Sequence, residues 1–393
     1  MITRRALLAS PLLAANNTIQ IGLIGTGGRC RHLLRSLLTV PEVRVTAISD
    51  VWDTALSETR KMVGEKPAAT KDYRALLERK DVDAVLIATP DHWHVPATID
   101  AVQAGKDVYV EKPLTHDLTE GKRVIDAVRR SKQIVQVGMQ QRSMPHLIKA
   151  REILKSGALG KIHKVHMTWN RNSNRGARSY AEIDPATVDW ARFLGNAPKQ
   201  PFHPVRFRNW RFFWDFGNGI LTDLMVHWLD VVHWFLDLNY PESAVTIGDN
   251  FAPEWGWETP DTIQTLLHYK PEGVQAYFEG TFVNARNAAM TEFMGDNATL
   301  YIDRGRYEII PEKGRSMEPS EMILGEGPRG ADFYDSPNGE LLHLRHWLDC
   351  VRSRREPNTP VEAGVSAAAA AHLGNIAFRQ GKLARWSSVA GRE

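Results

Sequence analysis

An aspartate and a histidine stand four residues apart in an otherwise apolar segment, and this spacing suits proton transfer. Asp223 and His227 lie in residues 217–230, where a Gly-Asn-Gly start is followed by apolar positions almost all round, which predicts a buried helix. On a helix the two side chains share one face. A histidine that titrates near neutral pH can act as a general base. A structural pair that staples the helix is the alternative.

A lysine is the second candidate for chemistry. Lys112 stands in Glu111-Lys112-Pro113, directly after a strand predicted at 107–110. In open α/β sheets the ligand lies beyond the carboxyl ends of the strands, so a lysine there can donate a hydrogen bond to a substrate oxygen. An ordinary solvated lysine is the alternative.

A glycine-rich turn near the N-terminus predicts how a ligand is held. An apolar strand runs into Gly25-Thr26-Gly27-Gly28, and residues 32–38 follow with helical spacing. Glycines in such a turn let the backbone approach a dinucleotide pyrophosphate, which binds at the positive end of the helix. A glycine-rich turn of some other α/β fold is the alternative.

The end of the next predicted strand indicates which dinucleotide binds. Residues 43–49 form an apolar run that ends at Asp50. A carboxylate at this position accepts a hydrogen bond from a ribose 2′-hydroxyl and repels a 2′-phosphate. Arg60 is too distant in sequence to be an evident counter-ion. NAD is therefore predicted over NADP.

A polar segment, 89–94, follows a strand predicted at 84–88 and reads TPDHWH. Its position at a strand end predicts contact with the cofactor or the substrate. Its H-x-H spacing resembles a metal motif. Alternate residues of an extended segment point in opposite directions, however, so lining of the cofactor site is favoured over a metal site.

Tryptophans concentrate in the middle of the chain, where eight of the twelve fall between Trp169 and Trp257. Aromatic faces pack on the C–H faces of sugar rings, so a carbohydrate pocket is one interpretation and core packing is the other. The stretch 206–211, which mixes arginines with aromatic residues, favours a polyol pocket or a contact between subunits.

Composition places the chain among soluble globular proteins with room for two domains. It has 393 residues, 43% hydrophobic and 24% charged, with a formal net charge of +3. So small a charge, with no long Lys/Arg block, argues against a nucleic-acid partner. Cys30 and Cys350 form neither a disulfide framework nor a metal motif, and both are expected to be free thiols.

Residues 1–17 are typical of an export signal. Arg4-Arg5 precedes an apolar run of about ten residues that ends in small residues. The paired arginines favour the twin-arginine route and a periplasmic location, with the frayed N-terminus of a cytoplasmic protein as the alternative. The run is far shorter than the roughly 20 residues that span a bilayer.

Periodicity divides the rest of the chain. Residues 18–142 alternate short β-type runs with amphipathic helices, which predicts a doubly wound parallel sheet, a Rossmann domain. Residues 143–380 predict an α/β domain with a mostly antiparallel sheet. Its helical stretch from 339 onward is expected to pack back on the first domain, and residues 381–393 form a tail. The strands predicted in this domain are 163–169, 262–269, 274–282, 290–294, 298–302 and 307–310, followed by a surface loop at 311–337.

Taken in order, these motifs resemble those of the glucose–fructose oxidoreductase / inositol dehydrogenase (Gfo/Idh/MocA) family. Residues 25–28, 88–94, 111–113 and 136–142 and the Asp223-x-x-x-His227 helix carry the resemblance, which covers the chain after the export signal. Cys30 and the Gly-Asn-Gly helix start depart from the family pattern, and the second departure bears on substrate identity. The resemblance implies a Rossmann domain and an open-faced sheet that commonly mediates oligomerisation. It therefore implies a homo-oligomer, either a dimer or a tetramer.

The resemblance also implies an activity, the transfer of a hydride between a hydroxyl carbon of a sugar, glycoside or cyclitol and NAD(P). Lys112 would bind the reacting hydroxyl, His227 would take its proton, and Asp223 would bind a neighbouring hydroxyl or orient His227. Two alternatives stay open: glycoside cleavage by transient oxidation with bound NAD, and a non-catalytic sugar or nucleotide sensor.

The predicted site residues fall into two groups, and no metal site is predicted. The cofactor group comprises Gly25, Thr26, Gly27, Gly28, Arg29, Asp50, Thr89, Pro90, His92, His94, Glu111, Lys112 and Gln140. The substrate group comprises Lys112, Arg142, Trp169, Arg208, Trp210, Asp223 and His227.

Overall fold

The computed structural model describes residues 18–172, 182–252, 256–315, 318–324 and 338–389. The predicted export signal, residues 1–17, lies outside the described residues, as does the end of the predicted tail, residues 390–393. None of the helices in the described ranges is long and apolar enough to cross a membrane.

The N-terminal part forms a doubly wound sheet. Its elements are β1 (Ile19–Ile24), α1 (Gly28–Leu37), β2 (Val43–Ser49), α2 (Asp53–Val63), β3 (Ala68–Thr70), α3 (Tyr73–Leu77), β4 (Ala84–Ile87), α4 (His94–Gln103), β5 (Asp107–Val110), α5 (Glu120–Arg130) and β6 (Val135–Val137). The strands are parallel, in the order β3-β2-β1-β4-β5-β6. The strand order reverses between β1 and β4, which opens a ligand crevice at their carboxyl ends. The predicted Rossmann fold is confirmed.

The second part builds a larger sheet. Its elements are α6 (Pro145–Lys155), β7 (Lys164–Asn170), α7 (Trp190–Leu194), α8 (Pro204–Arg208), α9 (Val226–Leu236), β8 (Ser243–Asp249), β9 (Thr262–Tyr269), β10 (Val274–Thr281), β11 (Ala289–Met294), β12 (Ala298–Asp303), β13 (Arg306–Pro311), β14 (Ser320–Ile323), α10 (Gly339–Ser353), α11 (Val361–Gln380) and β15 (Ala384–Arg385). The order in the described residues is β14-β13-β12-β11-β7-β10-β9-β8-β15. The β7–β10 pair is parallel and the other pairs are antiparallel, which confirms the mostly antiparallel sheet.

One face of this sheet is covered and the other is open. Helices α6, α9 and α11 lie against the covered face, where Phe235, Phe278 and Phe293 are fully buried. On the other face Val245, Ile247 and Leu266 remain exposed. The helix α10 instead returns to the first sheet, where Trp347 is buried in the same apolar cluster as Leu33 of α1.

The structure corrects three local predictions. Strand β8 was not predicted from the sequence. Its apolar Val245 and Ile247 face outward, so they do not indicate a strand that packs on the core. The loop predicted at 311–337 contains β14, an edge strand whose side chains are largely exposed, and residues 316–317 and 325–337 lie outside the described part. The segment predicted to be extended at 91–94 is instead a helical turn, Asp91–Trp93, that leads into α4.

The predicted buried helix is present, but it begins irregularly. Residues Leu221–Met225 form a π-helical turn that continues directly into α9. Such turns widen the helix locally and occur frequently at functional sites. Both Asp223 and His227 line the cavity described below, so the π-turn and the first turn of α9 present the two side chains to one site.

Candidate active site

A cavity of about 750 Å³ lies between the first sheet and the second part of the chain. Its size is that of small-molecule and cofactor sites, which range from roughly 300 to 1,000 Å³. Gly25, Asp50 and Trp52 line one region of the cavity, and Lys112 and His227 line another.

The glycine turn leaves room for an anion at the start of α1. A Cβ on Gly27 or Gly28 would meet nothing within 4 Å, so both residues border open space. No side chain of the described residues caps α1, and its first turn contains no acid. Gly25 has a φ of +77° and lies against the backbone of Thr89, so only glycine fits there. Free amides at a positive helix end suit a dinucleotide pyrophosphate.

Asp50 is fixed at the wall of the cavity. Its Oδ2 accepts a hydrogen bond from the backbone N–H of Thr26 at 2.6 Å, and its Oδ1 accepts one from the N–H of Trp52 at 2.9 Å. Burial raises the pKa of this carboxyl to about 6. Thr26, predicted in the cofactor group, does not itself line the cavity and acts by holding Asp50.

Arg208 lies beside Trp52, near Asp50, although it was assigned to the substrate group. Its guanidinium carbon is 5.1 Å from the centre of the Trp52 ring. Phe207, its neighbour on α8, contacts the same ring edge-on at 5.5 Å. The helix α8 therefore covers this region of the cavity, and Arg208 faces the end where the adenosine half of a dinucleotide would lie.

Glu111 anchors a polar cluster under the cavity. Its Oε1 accepts hydrogen bonds from Arg29 Nε at 2.9 Å and from Gln140 Nε2 at 3.2 Å. Arg29 also pairs with Glu340, a buried residue of α10 that sequence reasoning missed. No local signal marks Glu340, because its partner precedes it by 311 residues. The cluster fixes the backbone that carries Lys112, whose N–H donates to Glu111 Oε2 at 3.2 Å.

Lys112 and Asp223 form a pair in the cavity. The Lys112 ammonium donates to Asp223 Oδ1 at 2.9 Å and to the Asp223 carbonyl oxygen at 2.7 Å. Arg211 Nε lies 3.4 Å from the same Oδ1. Asp223 therefore holds Lys112 in place, a role beside the two that were predicted for it, binding of a neighbouring hydroxyl or orientation of His227. The pairing joins the carboxyl end of β5 to the π-turn before α9.

His227 faces the cavity as a neutral imidazole. Its ring stacks on Trp169 with centroids 5.0 Å apart. Burial, reinforced by the positive charges of Lys112 and Arg304, holds its pKa well below the ordinary value of 6.5. Neither ring nitrogen is hydrogen-bonded to another residue of the described chain. A neutral imidazole with a free nitrogen can accept a proton from a substrate hydroxyl.

The two histidines of the 89–94 segment are engaged elsewhere. His94 lines the cavity, but its Nδ1 lies 2.6 Å from the Pro113 carbonyl oxygen and its Nε2 lies 3.0 Å from that of Thr89. His92 does not line the cavity, and its ring bonds to the carbonyl oxygen of Phe193 at 2.8 Å. The helical turn at this point directs His92 away from the crevice, so His92 supports packing.

Arg142, predicted to bind substrate, also lies outside the cavity lining. Its guanidinium holds the carboxylate of Asp230 with three contacts of 2.7–3.0 Å, and it donates to the carbonyl oxygen of Asn358. Asp230 is 1% exposed. The structure therefore gives Arg142 a role in joining α9 to neighbouring segments.

This geometry predicts a loss of stability when Arg142 is removed. We expect Arg142→Met to lower the free energy of unfolding by about 3–5 kcal/mol, because it leaves the buried Asp230 carboxyl without its partner. Denaturant unfolding measures the loss. A raised KM at unchanged stability would instead support the prediction that Arg142 binds substrate.

The remaining predicted residues border the cavity. Pro90, Trp169 and Trp210 are among its lining residues. Trp169 is only 3% exposed, because its ring is covered by His227 and by the guanidinium groups of Arg171 and Arg304. Trp169 therefore positions His227 and has little free ring surface on which a sugar could stack.

Further lining residues were absent from the predicted groups. They include Asp91, Arg171, Arg211 and Arg304. Asp91 and Arg211 lie within the segments 89–94 and 206–211 that the sequence had singled out, so their positions could have been inferred. Arg304 lies in the turn between β12 and β13 and carries no such signal. Among the described residues, no group of three or more His, Cys, Asp or Glu could hold a metal ion.

Comparisons with known proteins agree with this architecture. Residues 19–139 match the model of an oxidoreductase family with an NAD-binding Rossmann fold, GFO_IDH_MocA, and residues 151–385 match the C-terminal α/β domain of that family. A myo-inositol 2-dehydrogenase of Thermotoga maritima is 31% identical over 361 residues, which cover 88% of this chain and 92% of that protein. An inositol 2-dehydrogenase of Rubrobacter xylanophilus is 27% identical over 346 residues, covering 81% and 86%.

A solved structure shares the fold over nearly its full length. Levoglucosan dehydrogenase in complex with NADH and levoglucosan superimposes with a TM-score of 0.73 at 19% identity, covering 94% of this chain and 99% of that one. The two family models match the two parts of the chain in turn. The chain therefore belongs to the Gfo/Idh/MocA oxidoreductase family and has an NAD-binding Rossmann domain.

Proposed function

We propose that this oxidoreductase transfers a hydride between NAD and a hydroxyl carbon of a sugar, glycoside or cyclitol. One observation carries the proposal. The Lys112 ammonium and the neutral His227 imidazole line the same cavity as the glycine turn 25–28. The named activities of the inositol and levoglucosan dehydrogenases support the substrate class.

Lys112 and His227 act on the same substrate oxygen in different ways. Lys112 uses two of its three N–H donors on Asp223, so the third can donate to the hydroxyl that reacts. This contact stabilises negative charge as it develops on that oxygen. His227 takes the hydroxyl proton. Asp223 holds the lysine in place, and NAD, when bound, supplies the hydride acceptor.

The decisive experiment combines cofactor identification with a substrate panel. Mass spectrometry of the nucleotide released from the purified protein should find NAD. The protein should then form NADH with at least one member of a panel of sugars, cyclitols, glycosides and sugar acids. Free sugar released from a glycoside without NADH would replace the proposal by redox-neutral glycoside cleavage. Ligand binding with no turnover on the whole panel would leave a sensor.

We also propose that the open sheet face joins copies of this chain. Its exposed Val245 and Leu266 are cross-strand partners, and Ile247 lies two residues further along β8 and is 73% exposed. An apolar face of this kind commonly marks a contact surface. We expect a dimer or tetramer by light scattering, which Ile247→Lys with Leu266→Lys converts to monomer. Ile148→Lys, on the outer side of α6, is the matched control. A wild-type monomer would contradict the proposal.

For residues 1–17 we propose twin-arginine export to the periplasm. The paired Arg4-Arg5 and the short apolar run support it. Arg4→Lys with Arg5→Lys should retain the protein in the cytoplasm, as cell fractionation of the native host would show. Unprocessed wild-type chain in the cytoplasm would contradict export.

A further inference from the structure

One acid on the cavity wall differs from the others in its hydrogen bonding. Within the described ranges, the acids that line the cavity are Asp50, Asp72, Asp91, Glu111, Asp223 and Glu340. Asp91 is only 4% exposed, yet its carboxyl forms no hydrogen bond with any described residue. Each of the other five accepts at least one.

The local fold does not use the Asp91 carboxyl. Asp91 begins the helical turn that leads from β4 into α4, a position where an acid can cap free backbone amides. In the described structure, neither that turn nor α4 has a side-chain cap. Asp72, by contrast, caps α3 by accepting a hydrogen bond from the N–H of Arg74 at 3.0 Å. A buried polar group without a hydrogen bond destabilises the folded protein, so we expect a ligand to supply the partner of Asp91.

The charges around Asp91 place it beside the proposed site of hydride transfer. Lys112 and Arg211 are the cations that act most strongly on its carboxyl. The same two cations approach Asp223 Oδ1, at 2.9 and 3.4 Å. Asp91 therefore lies in the region of the cavity where Lys112 is proposed to bind the reacting hydroxyl.

A carboxyl in this position can bind a second hydroxyl of the substrate. In a sugar or a cyclitol, the hydroxyls closest to the reacting one are those on the neighbouring ring carbons. Burial raises the pKa of Asp91 to about 8, so this carboxyl is mostly protonated at pH 7. A protonated carboxyl both donates and accepts hydrogen bonds, as a hydroxyl does, so the two groups are suited to each other.

We infer that Asp91 binds the substrate hydroxyl next to the one that reacts, so that the enzyme selects sugars or cyclitols with two adjacent hydroxyls. This contact determines which hydroxyl of the ring reaches Lys112 and His227. The inference rests on the proposed function, because it names the substrate feature that the same site recognises.

Substrates that lack one hydroxyl test the inference. NADH formation is measured as kcat/KM for glucose, methyl glucoside and myo-inositol, each beside the derivatives in which hydrogen replaces a single hydroxyl. The position of the carbonyl in the product identifies the carbon that reacts. We expect loss of one neighbouring hydroxyl to lower kcat/KM by roughly 10–100-fold, the worth of a hydrogen bond to a buried carboxyl.

Variants of Asp91 link this preference to its carboxyl. Asp91→Ala should lower kcat/KM for the parent by a similar factor and leave that for the deoxy derivative nearly unchanged, because the derivative already lacks the contact. Asp91→Asn should retain part of the preference, because an amide also donates and accepts hydrogen bonds. The Kd for NAD should stay close to the wild-type value in both variants.

Asp261→Ala is the matched control. Asp261 is also buried, at 1% exposed, but it lies outside the cavity lining and accepts hydrogen bonds from the N–H groups of Phe251 and Ala252 at 2.9 and 2.7 Å. Its replacement should lower the melting temperature and leave the preference for the parent over the deoxy derivative unchanged. Melting temperatures of the Asp91 variants establish that they are folded in the assay.

The outcomes separate the two proposals. Oxidation of a parent with no loss for either neighbouring deoxy derivative overturns the inference and leaves the proposed function standing. Equal losses for parent and derivative in Asp91→Ala also overturn it, and a raised Kd for NAD would then assign Asp91 to cofactor binding. Failure of all three parents and of the panel above to form NADH overturns the proposed function, and the inference falls with it.

Discussion

Replacing His227 by alanine is expected to lower kcat by about 10²–10⁴-fold, the usual loss when a positioned general base is removed. The imidazole is neutral, stacked on Trp169 and not engaged by other described residues, so it is free to take the substrate proton. NAD affinity should change little, because the dinucleotide is predicted to bind at the glycine turn 25–28 and Asp50. Steady-state kinetics and a cofactor titration on the same preparation measure both quantities.

His233→Gln supplies a control on the same helix. His233 is buried and bonds to Tyr269 and Ser366, outside the cavity. Its replacement should cost stability and leave kcat largely intact. Near-parental turnover in His227→Ala would show that another group is the base. His94 would then be a poor substitute, because both its ring nitrogens face carbonyl oxygens, and Asp91 would be tested next.

The pH profile offers an independent check on His227. A base works only when unprotonated, so activity is present above its pKa and is lost as the pH falls through it. Burial, Lys112 and Arg304 lower this pKa, and Asp223 raises it with a smaller effect than any of the three. The acid limb of kcat/KM should therefore lie well below pH 6.5, and Arg304→Gln should move it upward.

Replacing Lys112 by alanine is the second large expected effect, a fall in kcat of about 10²–10³-fold, the loss seen when one donor to a developing oxyanion is removed. The ammonium is held by two contacts to Asp223 and retains a donor for the reacting oxygen. Loss of its charge should also raise the pKa of His227 and shift the acid limb of the pH profile upward.

The double variant tests whether the two residues act together. In the proposed function Lys112 and His227 act on the same oxygen, so the combined loss should be far smaller than the product of the single losses. Lys106→Ala is the control, since Lys106 donates to backbone carbonyl oxygens of Arg79 and Val82 away from the cavity. Fully multiplicative losses would mean that the two side chains act independently.

Local patterns in the sequence were enough to predict the fold class and the central residues of the cavity, among them Asp50, Lys112 and His227. Three patterns each predict a strand and show which of its ends faces the ligand. They are the apolar run into Gly25–Gly28, the strand that ends at Asp50 and the strand before Lys112. Parallel strands bring those ends to one edge, so the cofactor residues converge without knowledge of the tertiary structure.

Side-chain partners were decided only by the tertiary structure. Asp223 pairs with Lys112, 111 residues away, a contact that its spacing to His227 does not indicate. Arg142 was predicted to bind substrate. A buried arginine needs a counter-ion, however, and the counter-ion of Arg142 is Asp230. Arg171 and Arg304, which line the cavity beside Trp169, come from separate strand ends of the second sheet. Periodicity determines which face of an element is buried, whereas the packing of distant elements determines which charges meet there.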